Sequence, residues 1–149
     1  MQRPLTRLFT LLVFAFATLC MASATSAQSK PHLATGFGQF AANQADFTGF
    51  GQATHLGKYT EVGNVQLAPS GTEGVLAVNG WAHYTASNGD ELFAIITGTL
   101  DLTTGVILAT ATYVGGTGRF EDASGSSDLA GQMLGGGALS ISAVGSIDY

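Results

Sequence analysis

Cysteine is nearly absent: the 149 residues hold one, Cys20. A disulfide within the chain is therefore excluded, as is a zinc site built on thiolates. Proline occurs three times, and charged side chains make up only 10% of the chain, with a net charge of −5. An acidic balance of this kind repels nucleic acid and anionic lipid. The three histidines, His32, His55 and His83, form no His-x-His pair of the kind that places two ligands on one strand face. Ser124, Ser126 and Ser127 stand outside any nucleophile-elbow context. No segment carries a sustained helical period with caps. The sequence thus points to no metal, no cofactor and no recognisable catalytic triad.

The first residues read as a secretory signal. Arg3 and Arg7 supply a positive start, Leu8 to Ala22 form an apolar run, and the small residues Ser23, Ala24, Thr25, Ser26 and Ala27 follow. The run is shorter than the roughly 20 residues of a membrane-spanning helix. Cleavage is expected after Ala24 or Ala27, with Ala27 preferred; the bulky Leu19 argues against lipid attachment at Cys20. The mature chain would be secreted, to a periplasm or beyond the cell, without membrane attachment. It would lack cysteine and keep only Lys30, Lys58 and Arg119 against ten carboxylates, a net charge of −7. The expected organisation is a signal peptide at 1–27, an N-terminal segment with a first strand at 28–44, and a β-barrel domain at 45–149.

Beyond the signal, glycine is abundant and short alternating runs rich in Thr, Val, Ile, Tyr and Phe dominate. They predict an all-β chain with strands at 35–40, 48–58, 60–68, 74–87, 90–100, 105–115, 126–134 and 138–149. The break at 58–60 is the weakest, since 48–68 would also read as one bent strand. A peptide recurs: Thr35-Gly36-Phe37-Gly38-Gln39 and Thr48-Gly49-Phe50-Gly51-Gln52. Two copies do not make a repeat fold; they read as two similar strands.

Asn88-Gly89 is the clearest turn signal and predicts a type I′ hairpin. A two-residue loop sets Ser87 opposite Asp90, Tyr84 opposite Phe93 and Trp81 opposite Ile96. One face then carries Trp81, His83, Thr85, Leu92, Ala94 and Ile96, and the other Ala82, Tyr84, Phe93 and Ile95. Both are largely apolar, so each side needs a cover: a second sheet, a subunit or a ligand. In 105–114, Ile107, Ala109, Ala111 and Tyr113 share one face. In the last strand Leu139, Ile141, Ala143 and Ile147 alternate with polar residues.

The stretch Tyr113-Val114-Gly115-Gly116-Thr117-Gly118-Arg119-Phe120, with Gly125 beyond it, resembles the strand–turn–strand signature of the allene oxide cyclase and dirigent barrel superfamily. Gly51 to Lys58 and the Asn88-Gly89-Asp90 hairpin resemble secreted bacterial proteins of that barrel type. The resemblance spans about residues 45–149. It implies an eight-stranded antiparallel β-barrel, allene oxide cyclase-like and commonly trimeric. The pocket Glu, Asn and Ser of the plant cyclases cannot be placed here residue by residue, so cyclase or isomerase activity does not transfer with the fold. The motif itself reads as structural: Gly115, Gly116 and Gly118 serve the turn, and Phe120 anchors it by burial. Glu121 and Asp122 oppose phosphate binding there.

Three functions stay open: a barrel holding a small apolar or amphipathic ligand, a cyclase or stereocontrol protein, and a non-catalytic secreted interaction module. An eight-stranded barrel has room inside for one such ligand. The Trp81 face is taken as the interior because a pocket accommodates His83 at less cost than a dry interface. Candidate ligand-binding residues are Trp81, His83, Thr85, His55, Glu91 and Arg119. The opposite apolar face predicts a homo-oligomer.

Overall fold

The computed structural model describes residues 29–149, and the expected signal peptide lies outside the described residues. Eight strands follow in sequence: β1 Lys30–Phe40, β2 Asp46–Ala53, β3 Gly57–Pro69, β4 Val75–Ala86, β5 Glu91–Asp101, β6 Val106–Gly116, β7 Ser124–Gly135 and β8 Ala138–Asp148. Each pairs antiparallel with the next, and β8 pairs with β1, so the sheet closes into a barrel. All eight expected strands have a counterpart. The weak break moves from 58–60 to the turn at 54–56, and β1 lies within the expected N-terminal segment as a full barrel strand.

Alternation decides what lies inside. On β3, Tyr59, Glu61 and Val65 are buried while Thr60, Val62 and Gln66, of the other parity, are exposed. Ile107, Ala109, Ala111 and Tyr113 line the interior or its core, as do Leu139, Ile141, Ala143 and Ile147. The recurring peptide has a physical role. Its copies pair antiparallel, Gly36 against Gly51 and Gly38 against Gly49, with Phe37 against Phe50. Each copy turns two glycines inward and a phenylalanine outward. The missing side chains leave room for β3: a Cβ at Gly51 would overlap the Tyr59 ring, and one at Gly49 would overlap the Glu61 carboxylate.

The two barrel ends differ. At one end Leu56, Leu92, Phe120 and Ile147 are fully buried and form a plug. The Gly-rich motif builds it. A bulge sets Val114 and Gly115 of β6 against Phe93 alone of β5, with Gly115 at φ 100°. Gly116 lies too close to the Glu91 carbonyl for any Cβ. The 3-10 turn Gly118–Phe120 then drops Phe120, 0% exposed, onto Tyr149 at 5.1 Å between ring centres. At the other end the loops after β1, β3, β5 and β7 leave an opening. Leu67 and Leu102, both exposed, line the cavity there.

The β4–β5 hairpin corrects the expected register by one residue. Thr85 pairs with Glu91, Tyr84 with Leu92, His83 with Phe93 and Trp81 with Ile95. The turn is not type I′. The Gly89 amide donates to the Ala86 carbonyl, and Gly89 has φ 89° whereas Asn88 is not at positive φ. This is the three-residue loop in which a turn is followed by a glycine bulge. The extra loop residue moves every pair by one place, and the faces change with it. Ala82, Tyr84 and Ala86 go inside with Leu92, Ala94 and Ile96. Trp81, His83 and Thr85 go outside, with Trp81 41% exposed. Gly89→Val should cost roughly 1–3 kcal/mol, because a β-branched residue resists positive φ. Asn88→Ala should cost less, about 0.5 to 1 kcal/mol, because it loses only its exposed hydrogen bonds with Asp90. Chemical denaturation of both variants checks this; equal losses would return the turn to type I′.

Candidate functional site

The interior is not filled. A cavity of about 690 Å³ runs from the open mouth into the barrel. That falls within the roughly 300–1,000 Å³ of small-molecule sites. Its walls are largely apolar, with Val65, Val78, Ile96, Leu129 and Ile141 among them. Seven polar side chains interrupt the walls: His32, Tyr59, Glu61, Tyr84 and Tyr113 inside, and Gln44 and Asp101 near the mouth.

Glu61 is the unusual member. Strand alternation puts it inward, opposite Gly49 on β2 and Tyr84 on β4. It is 7% exposed, and no hydrogen bond from another described residue reaches its carboxylate. Burial raises its pKa from 4.5 to about 7, because an apolar setting disfavours the charged form. Tyr59, Tyr84 and Tyr113 are raised too, chiefly by burial, and stay neutral across the physiological range. The Tyr113 hydroxyl shares a 2.8 Å hydrogen bond with Ser127, which is itself buried.

His32 is a second finding that sequence reasoning missed. It is 3% exposed, stacked on His55 at 5.8 Å and edge-on to Tyr113 at 5.5 Å. Burial, and then the neighbouring His55, lower its pKa to about 4, and its Nδ1 is buried without a partner. His55 lies in the β2–β3 turn rather than inside a strand. Its Nε2 is 2.8 Å from the Pro31 carbonyl, which can only accept. Nε2 therefore carries the proton, and Nδ1 accepts from the Tyr149 hydroxyl at 3.1 Å.

The remaining sequence candidates lie elsewhere. Trp81, His83 and Thr85 are on the outer surface, where His83 packs between Trp81 and Phe93 at 4.7 and 4.4 Å. The choice of the Trp81 face as interior is therefore corrected: it rested on placing His83 in a pocket, and His83 is instead exposed between two outer aromatics. Glu91 is on the same outer face, its backbone amide donating to Thr117 Oγ1 at 2.9 Å. Arg119 is exposed at the plugged end and faces Asp90 at 3.6 Å. Of the six candidates, none lines the cavity. The signal for Glu61 was in the sequence: it is a lone carboxylate at the parity of Tyr59, Gly63 and Val65. Without the β2–β3 register, that parity had no assigned side.

Glu61 and His32 oppose each other in pH-dependent stability. The folded pKa of Glu61 lies above its unfolded value, so the native state holds the extra proton between about 4.5 and 7. Stability falls as pH rises through that window. The folded pKa of His32 lies below its unfolded value, so the unfolded chain holds the extra proton between about 4 and 6.5. Stability rises with pH there. Glu61→Gln removes only the first slope. Its stability advantage over the wild type should grow by roughly 3 kcal/mol as pH rises from acid to neutral, then level off. Urea denaturation across pH checks this, and a constant difference would mean that Glu61 is solvated in the native state.

Comparison with family models, with curated proteins and with solved structures finds no match for this chain.

Proposed function

We propose that the protein is a secreted container whose barrel interior holds one small amphipathic molecule. The observation that carries this reading is the 690 Å³ cavity, apolar on most of its wall and open at one end only. An interior meant only for stability would be packed solid, since an unfilled cavity costs core contacts. Apolar wall supplies affinity, and a few inward polar groups fix orientation. The resemblance to the allene oxide cyclase and dirigent barrels agrees with an interior site. A second reading, proton transfer on the bound molecule as in an isomerase or cyclase, is favoured by Glu61 alone. A carboxyl held at about 7 is populated in both its acid and base forms near neutrality.

Assembly belongs to the same proposal. Phe37, Phe50, Val62, Trp81 and Ile95 are all at least 41% exposed, on the outer faces of β1 to β5. Burying such a patch between copies of the chain would remove its contact with water, and the resemblance suggests a trimer. Light scattering should give an oligomer that Trp81→Asp weakens. A monomer at every concentration would withdraw this part of the reading.

The container is tested with Nile red, a neutral dye that brightens in apolar surroundings. Saturable binding of one dye per chain is expected. Ala109→Trp, which grows a ring into the cavity, should abolish it, and Trp81→Ala on the outer surface should not. Equal binding to the Ala109→Trp variant would place the dye on the outside and overturn the reading.

A further inference from the structure

The polar groups of the cavity are one-sided. Among its lining residues no Lys or Arg is present. The sole inward imidazole, His32, sits where burial and His55 both disfavour its charged form. An anionic head entering this cavity would find no countercharge and would share the space with a carboxylate. Glu61 presents the reverse case. The residue is more than nine-tenths buried and lines the cavity, and its carboxylate has no partner among the described residues. Ionised, it can only accept hydrogen bonds. A buried acceptor without a donor is costly, and one without a countercharge more so. The missing Cβ at Gly49 keeps the carboxylate's place open, because any larger residue there would overlap it.

From this geometry we infer that the cavity selects a basic amphiphile, an amine on an apolar body, whose cationic nitrogen donates to Glu61 while the body lies against the apolar wall. This deepens the container reading and rests on it. The mouth fits such a ligand, since Phe40, Leu67, Leu102 and Met133 line the cavity near the opening and offer the apolar body a greasy entrance. The titratable groups facing Glu61 around the wall are Tyr59 of its own strand, Tyr84 of β4 and Tyr113 of β6, each held neutral by burial. None competes with Glu61 for the cation. Asp101 at the rim adds negative charge along the way in.

The test uses three compounds with the same chain: decylamine, decanol and decanoate, each displacing Nile red at about pH 8, where the amine is charged and Glu61 is ionised. Decylamine should bind about tenfold or more tighter than decanoate, with decanol between them. Glu61→Gln should cost the amine about tenfold and leave decanol within about threefold, which also shows that the variant is folded. Decanoate binding as tightly as decylamine would overturn the inference, and so would an amine affinity indifferent to Glu61→Gln. In both cases Nile red still binds inside and the container stands. If the dye and all three compounds fail to bind, the container reading falls and this inference with it.

Discussion

The ladder between β1 and β8 is the constraint on which the rest depends. It runs from Lys30 against Ile147 to Gln39 against Ala138 and turns an eight-stranded sheet into a surface with one inside. Without it the sheet would have two unpaired edges and two faces in search of cover. With it, alternation becomes a sorting rule, and each strand sends every second side chain into a finite volume. That volume cannot hold a large side chain at every inward position. Glycines on β1 and β2 yield the space that Tyr59 and Glu61 of β3 occupy. Toward the plugged end the space is filled, by Leu56, Leu92, Phe120 and Ile147. Toward the mouth it is left open.

The open half sets the electrostatics. Desolvation acts on every inward polar group, and it moves Glu61 up and His32 down toward their neutral forms. Nothing in the local packing calls for a carboxylate at position 61. Its neighbours in the ladder are Gly49, which has no side chain, and Tyr84, held neutral by burial. The apolar wall and the lone acceptor are thus two halves of one arrangement: the wall makes the carboxylate costly when empty and strong when paired.

Much of the fold was legible. Strand count follows from alternation and from glycine-bearing turns, as do the limits of β4 to β8, while those of β1 to β3 shifted; the Gly115–Phe120 motif has the structural role its residue types suggest. The sidedness of the hairpin was not legible, and the reason is local. Asn-Gly fits two hairpin geometries, and they differ by one residue in register. The hydrogen bond from the Gly89 amide to the Ala86 carbonyl separates them. The slip grouped Trp81, His83 and Thr85 with the inward Leu92, Ala94 and Ile96 and separated Tyr84 from them. A second signal would have resolved it. Gly80 and Gly98 share the parity of Ala82 and Ile96, and at both a Cβ would overlap the neighbouring strand's backbone. Glycine is required where a small closed barrel coils most tightly, and it marks the inward parity. His32 escaped for another reason: a single residue near the start of a strand carries no periodicity of its own.

The outer surface has a separate logic. On β7 and β8 the outward residues are mostly polar, Ser126, Asp128, Gln132, Ser140, Ser142 and Ser146, with Val144 and Leu134 as exposed apolar exceptions. On β1 to β5 the outward aromatics Phe37, Phe50, Trp81 and Phe93 gather, with His83 packed between two of them. A ligand held inside gains nothing from aromatic rings on the outside. The cavity therefore does not explain this side, and the outer aromatics do not explain the cavity. The chain carries two apolar surfaces of opposite parity, which is why its hairpin looked apolar on both faces. One parity surrounds a volume that a small molecule can fill. The other offers a broad area that only a macromolecule, such as another copy of the barrel, can cover.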